Sequence, residues 1–433
     1  MRALLFTALC FVPGIALPNP QTLYEQHCAS CHGVNRLGGM GPALLPENLS
    51  RLKKPEAAAM IRDSRPGVQM PAFKHLSEKE VASLVEHIYS PVVPAPRWTQ
   101  TDIRASRIEH VKAETLPARP QFEADPLNLF VVVEAGDHHV TILDGDRLEP
   151  IHRFASRFAL HGGPKFTRDG RFVYFASRDG WISKFDLWNL TLIAEVRAGI
   201  NTRNAAVSSD GKYVMVANYL PHSLSVFDSD LNLVKVMETG SRVSAVYDAG
   251  PRRSFIAALK DVPEVWEISY DPQAEPIAAG LVHDFRSKEG SFVPGFLNVR
   301  RTALEDVLDD FFFTPDYRQV LGASRGGRRA QVVHLDVRRA IASFELPGLP
   351  HLGSGISWER EGRRVMATPN LSEGVVSVID VASWKVLKEI PTLGPGFFLR
   401  SHEATRYAWV DSMMSPKARD TLQVIDKQTL EVV

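Results

Sequence analysis

Asp169-Gly170-Arg171 and Asp210-Gly211-Lys212 are one turn written twice, 41 residues apart. Each is followed by a short alternating strand, a loop and a second strand that ends on an acidic turn, as at Val226-Phe227-Asp228. Related turns fall at Pro251-Arg252-Arg253, Asp316-Tyr317-Arg318, Glu361-Gly362-Arg363 and Ala404-Thr405-Arg406. Related endings fall at Val378-Ile379-Asp380 and Val424-Ile425-Asp426. A period of about 40–45 residues with several strands per unit points to a β-propeller, whose units bury their apolar faces against one another. Residues 127–433 number 307, and a ~42-residue period divides them into about seven units. The interval from 251 to 316 is longer than one period and must hold an insertion. The last unit reaches Val433 without an evident closing strand, so seven blades and an incomplete eighth both remain open.

Upstream of the repeat the texture is helical. Cys28-Ala29-Ser30-Cys31-His32 is the attachment pattern of a c-type haem. Each thiol adds to one vinyl group, and His32 reaches the iron from the same side. A zinc site would need a second cysteine pair, which the sequence lacks. Met40 and Met70 compete for the sixth position; Met70, in Gln69-Met70-Pro71, has the loop and the following proline that small cytochromes use. His75 and His87 are weaker rivals. Ser77-Glu78-Lys79-Glu80 is a capping box, and Val81, Leu84, Val85 and Ile88 then recur at helical spacing. Residues 20–90 therefore form a small all-α cytochrome c domain. Residues 91–126, which open on a Pro-rich stretch, are a linker and a leading strand, and residues 127–433 are the propeller.

Composition excludes several classes. Of 433 residues, 44% are apolar and 23% charged, which are globular values. Lys+Arg and Asp+Glu are both 50, so no basic footprint for nucleic acid exists. Residues 1–16 combine Arg2, an apolar run and the small-residue site Gly14-Ile15-Ala16, which is the pattern of a signal peptide. The run is too short to span a bilayer of ~20 residues. A protein exported to the periplasm, without stable membrane insertion, is expected.

Propeller function sits on loops near the axis. His161 in Leu160-His161-Gly162-Gly163, His351 in Pro350-His351-Leu352-Gly353 and His402 in Ser401-His402-Glu403 each read as preceding an inner strand by a similar offset. Imidazole serves as an iron ligand and as a proton acceptor near neutral pH. Arg178, Arg203, Arg242 and Arg400 recur in the same regions and suit the carboxylates of a large acidic ligand. Asp309-Asp310-Phe311-Phe312-Phe313 sets paired acids beside aromatic side chains.

A cytochrome c domain followed by a propeller with the His161 segment, Arg178-Asp179-Gly180 and Asp186-Leu187-Trp188 resembles the cytochrome cd1 nitrite reductase family. The resemblance implies an eight-bladed propeller, with the last blade here incomplete. It also implies a noncovalent haem d1-type tetrapyrrole and an axial iron ligand at His161. Of two further distal histidines in that family, one falls at His351 and the other is replaced by Asp309, which weakens a nitrite-reducing reading. The segments Asn201-Thr202-Arg203-Asn204, Tyr219-Leu220-Pro221-His222, Pro350–Gly355 and Gly394-Pro395-Gly396-Phe397-Phe398 are more similar to the members that act in haem d1 biosynthesis. One of those carries a cytochrome c domain. It implies an oxidoreductase that converts a propionate side chain of dihydro-haem d1 to an acrylate and passes electrons to its haem c. By this reading His351 and His402 share the roles of base and distal ligand in an order left open, and Asp309 orients the base or relays a proton. A haem d1 delivery protein is the non-enzymatic alternative. Implied partners are the tetrapyrrole, a periplasmic electron acceptor and, transiently, nitrite reductase.

Overall fold

The computed structural model describes residues 19–50, 52–64, 70–278, 292–324 and 329–433. The expected signal peptide, residues 1–16, lies outside them. Apart from the turn Glu134–His138, the chain divides into two compact units at Arg97/Trp98.

The first unit is helical. Asn19 caps the helix Pro20–His27 by accepting from the backbone N–H of Gln21 at 2.9 Å. The haem-attachment residues form the short turn Ala29–His32. Lys54–Asp63 and Glu78–Tyr89 complete the framework. The capping box is present: Glu80 N–H donates to Ser77 Oγ at 3.3 Å, and Ser77 N–H to Glu80 Oε2 at 2.8 Å. Such a cap is worth about 1 kcal/mol. The face Val81, Leu84, Val85 and Ile88 packs on Leu23, Tyr24, Ala57 and Ile61. The segment read as a linker has structure of its own: a helix Gln100–Ala105 and the strand Ile108–Glu109.

The second unit holds seven antiparallel sheets, apart from a short two-stranded ribbon. The first contains Leu129–Glu134, His139–Asp144 and Pro150–Ala155. The second runs outward from Lys165–Phe166 through Phe172–Ala176 and Trp181–Asp186 to Thr191–Arg197, where Ile108–Glu109 adds a fifth strand. The other five are four-stranded and begin at Asn201, Val243, Asp310, Ile356 and Leu399. The long interval near residue 280 carries the ribbon Ile277–Ala278 with Phe292–Val293.

The eight-bladed expectation is therefore corrected to seven sheets among the described residues. The sheet with three strands is the first; the last, ending at Glu431–Val432, has four. The repeat turns fall between the first and second strands of each later sheet, so counting turns did not register the first sheet's composition.

Apolar clusters lie between successive sheets. Val173, Phe175 and Phe185 meet Val140 and Ile142; Val214 and Phe227 meet Ile182 and Val196; Phe255 and Trp266 meet Met215 and Val226. Full burial of such side chains contributes ~1.5–3 kcal/mol each, which is why sheets stack around an axis rather than stand alone. The repeat motif has a polar cause as well. Arg171 of the turn donates to Asp186 at the end of the third strand at 2.9 Å, with the carboxylate fully buried, and Arg406 pairs with Asp426 in the same way. Gly170 and Gly211 have φ near +69°, which an L side chain rarely adopts.

Candidate functional site

In the helical unit, Cys28 and Cys31 stand one helical turn apart and form no disulfide. Burial pushes the Cys28 thiol up to about 11, with Cys31 adding to the effect. His32 is 8% exposed, and its Nδ1 lies 2.8 Å from the carbonyl oxygen of Pro42. A carbonyl only accepts, so Nδ1 carries the hydrogen and Nε2 keeps its lone pair for iron. Met70 packs against the helical core, whereas Met40 is 73% exposed. His27, Phe73 and His75 form an aromatic group with ring separations of 5.4–6.1 Å. His87 stacks near Tyr24 at 5.3 Å. These donors fit a covalently attached haem, whose iron His32 and Met70 would hold.

In the propeller, the loop before the second sheet carries His161. Its N–H donates to Ala176 O at 2.8 Å, and Nδ1 lies 2.7 Å from Arg203 O. By the same logic as at His32, Nδ1 carries the hydrogen and Nε2 keeps its lone pair. Arg203 Nη1 is 3.2 Å from that Nε2, while Arg203 Nε donates to Ser244 O at 2.8 Å. A Cβ at Gly162 would fall 2.7 Å from Asn204 Cβ, so glycine is needed for the loop to reach this position. Arg178 joins the group through its backbone: its N–H donates to Ala159 O at 3.1 Å, and its carbonyl accepts from Thr202 at 3.2 Å.

His351 sits in the corresponding loop of the sixth sheet. Nδ1 lies 2.6 Å from Phe397 O and 2.8 Å from Ser354 Oγ, and the ring packs on Phe397 at 4.3 Å. The Phe397 segment is anchored in turn, because its N–H donates to Asp411 at 3.0 Å. Nε2 faces Asp310 Oδ2 at 3.8 Å. Burial pushes His351 below the ordinary imidazole range; the Asp310 carboxylate opposes this, and the Arg203 and Arg400 cations add to it. A neutral imidazole with its hydrogen on Nδ1 keeps the Nε2 lone pair for accepting a proton. Arg400 Nη1 donates to Ser354 O at 3.2 Å, which puts the cation against the same loop.

A cavity of about 420 Å³ opens along the inner strands, reaching Gly353 of the His351 loop. Its walls include Phe311, Phe312, Tyr247, Lys165, Asp248 and Gly353. Lys165 Nζ donates to Gly162 O at 2.6 Å, and burial, with the nearby Arg400, pushes its pKa down.

Three of the expected residues stand apart from this arrangement. His402 does not precede an inner strand; it follows Leu399–Ser401, in the exposed turn toward Tyr407–Asp411. Its Nδ1 accepts from Ala404 N–H at 3.1 Å, a local turn contact at the strand end opposite the His161 and His351 loops. Asp309 is paired with Lys260, and Asp310 faces the imidazole. Arg242 is engaged by Asp261 through its guanidinium at 2.5 Å and its N–H at 3.0 Å. The sequence did not single out Tyr247 or Lys165. A tyrosine or lysine within an apolar inner strand carries no signal of its own; only the shared strand phase with Asp310 and His161 would have exposed them.

Residues 124–284 and 294–433 match the cytochrome D1 heme domain family, and residues 16–88 match the family of cbb3-type cytochrome c oxidase subunit III. The chain is 54% identical to a dihydro-heme d1 dehydrogenase of Pseudomonas aeruginosa over 420 residues, covering 95% of this chain and 81% of that one. It is 25% identical to a nitrite reductase of Stutzerimonas stutzeri over 448 residues, covering 94% of this chain and 77% of that one. The solved structure of dihydro-heme d1 dehydrogenase NirN in complex with DHE superposes with a TM-score of 0.87 at 53% identity, covering 96% of this chain and 86% of that one.

Proposed function

Because the chain belongs to the cytochrome D1 heme domain family, and within it to the dihydro-heme d1 dehydrogenases, we propose that it oxidises dihydro-haem d1 to haem d1. The carrying observation is identity of 54% across 95% of the chain, together with two inward imidazoles whose Nδ1 atoms are both tied to carbonyls. The substrate is the tetrapyrrole itself, and the relative's structure solved in complex with DHE supports its binding.

The reaction converts a –CH2–CH2–COO⁻ side chain to –CH=CH–COO⁻ and releases two electrons and two protons. His161 holds the substrate's iron through Nε2. Arg203, Arg178 and Arg400 surround the macrocycle's acidic edge and restrict its rotation, so the reacting bond stays near its base. His351 accepts a proton at Nε2, since Nδ1–H is committed to Phe397 O. The phenyl rings of Phe311 and Phe312 exclude water from the cavity side. The haem that Cys28, Cys31, His32 and Met70 would hold would supply a one-electron acceptor used twice per turnover, with reoxidation by the periplasmic acceptor between the two electrons, and the second proton leaves to solvent. Export to the periplasm, onward transfer to a periplasmic acceptor and transient delivery of product to nitrite reductase complete the reading.

The test is direct. The exported holo-protein is loaded with dihydro-haem d1 and supplied with an oxidant, and the extracted tetrapyrrole is weighed. Loss of two mass units is expected. Unchanged mass with tight binding would replace catalysis by delivery. Sustained nitric oxide production from nitrite would move the protein to the reductases.

A further inference from the structure

Asp310 is 7% exposed and ties three elements together. Its Oδ1 accepts from the Tyr247 hydroxyl at 2.9 Å and from the Phe311 N–H at 2.9 Å; its Oδ2 accepts from the Gly353 N–H at 2.8 Å. Tyr247 belongs to the inner strand Val243–Ala249, Asp310 opens the inner strand Asp310–Phe313, and Gly353 belongs to the loop that carries His351. A Cβ at Gly353 would lie 2.4 Å from Asp310 Oδ2 and 2.7 Å from the Tyr247 hydroxyl. Only the bare backbone can come this close. Two residues earlier, His351 presents Nε2 at 3.8 Å to the same Oδ2.

The two imidazole nitrogens are thus governed by different groups. Phe397 O fixes Nδ1–H, and Asp310 lies on the side of the reactive Nε2. We propose that Asp310 is the positioning residue of the oxidation: it fastens the His351 loop, fixes the place of Nε2 and presents a negative charge to the imidazolium formed when the proton arrives. This rests on the reading of His351 as base and adds the group that governs it. Arg203 and Arg400 face the imidazole with the opposite sign. Asp310 therefore offsets two cations that disfavour proton acceptance. A carboxylate fixed before the reaction does so without rearranging at the moment of transfer.

The experiment compares Asp310→Asn, Gly353→Ala and the double variant as full-length protein carrying its covalent haem. Asp310→Asn removes the charge and keeps the shape. Gly353→Ala keeps the charge and forces the loop away. Each is expected to slow single-turnover oxidation about tenfold or more, with the dissociation constant for dihydro-haem d1 within about threefold of wild type. Because both break one contact, the double variant is expected within about twofold of the slower single variant. A readout without turnover accompanies this. In histidine-selective 15N spectra of the reduced protein, the His351 resonance, assigned through His351→Gln, shifts in both single variants.

Wild-type rates in Asp310→Asn, multiplied losses in the double variant, or losses confined to binding would overturn the proposal. An unmoved His351 resonance would do the same. If wild-type protein binds the tetrapyrrole and leaves its mass unchanged, the functional reading fails, and the resonance decides whether Asp310 governs His351. Should Asp310→Asn not fold, Tyr247→Phe decides. It removes one donor to the carboxylate, and is expected to slow the reaction about threefold or more with binding kept. A wild-type rate there overturns the proposal.

Discussion

The Nδ1 atom of His32 lies 2.8 Å from the carbonyl oxygen of Pro42, and the space in front of that imidazole is kept by a residue without a side chain. A Cβ on Gly41 would come within 2.7 Å of the His32 ring. Gly41→Ala is therefore expected to tilt the imidazole and weaken its bond to iron while the covalent attachment survives. The ferric spectrum of the isolated variant should gain a high-spin component that wild type lacks. A spectrum identical to wild type would remove Gly41 from the ligand geometry.

Met70 packs on the helical core and Met40 faces solvent. A thioether ligand raises the iron potential. Met70→Ala should lower the reduction potential of the covalent haem and open its sixth position to added imidazole or cyanide. Met40→Ala should do neither. Potentiometric titration of both variants separates the two methionines.

Much of this arrangement was legible in the chain, and the limits have physical causes. Cys28, Cys31 and His32 are adjacent in sequence, so their chemistry is local and readable. The capping box at Ser77 is equally local. The propeller was legible because the Arg171–Asp186 pairing repeats at a fixed interval. The choice between Asp309 and Asp310 was not legible. Consecutive residues at a strand start point to opposite sides, and which one faces the axis depends on a register that no single strand specifies. His402 was misplaced for a related reason: a histidine just before an inner strand and one just after it look alike in sequence, yet stand at opposite ends of the sheet.

Glu195 is a buried carboxylate that binds Arg157 at 2.6 Å, Ser183 at 2.8 Å and His110 at 3.1 Å. Burial would raise its pKa, but the hydrogen bonds and charge of Arg157, with Ser183 and His110, hold it below the usual carboxylate range. A depressed folded pKa contributes stability above the unfolded value and loses it as pH falls through the folded one. Glu195→Gln is therefore expected to destabilise the propeller by about 2 kcal/mol near neutral pH. The difference should shrink toward pH 3. Urea midpoints of the two proteins at both pH values check this, and a constant difference would contradict the assignment.

Asp248 shows the opposite sign. Burial raises its carboxyl to about 6, against a hydrogen bond from Tyr270 at 2.8 Å that works to lower it. A raised folded pKa makes the group's stabilising contribution complete at low pH and removes it as pH climbs through about 6. Asp248→Asn keeps an acceptor for Tyr270 and carries no charge. It is expected to stabilise the propeller by roughly 1–3 kcal/mol at pH 8 and to match wild type near pH 4. Thermal unfolding across that range measures it, and parallel curves would show that Asp248 does not titrate there.

The three histidines singled out in the propeller now separate into distinct outcomes. His161 and His351 each commit Nδ1 to a backbone carbonyl, with Nε2 beside Arg203 and Asp310 respectively; His402 uses Nδ1 in its own turn. His161→Ala is expected to change the axial-ligand spectrum of bound dihydro-haem d1 and to weaken its binding, because an iron bond is lost. His351→Ala is expected to keep most of the binding and to slow oxidation by about a hundredfold or more, the scale of a general base. His402→Ala should remain within about twofold of wild type in both measurements, since its turn lies beyond the strand end. Rapid-mixing absorbance on the three variants, with mass analysis of the extracted tetrapyrrole, distinguishes them. If His402→Ala stopped oxidation while His351→Ala left it unchanged, the base would have to be sought at the other end of the propeller axis.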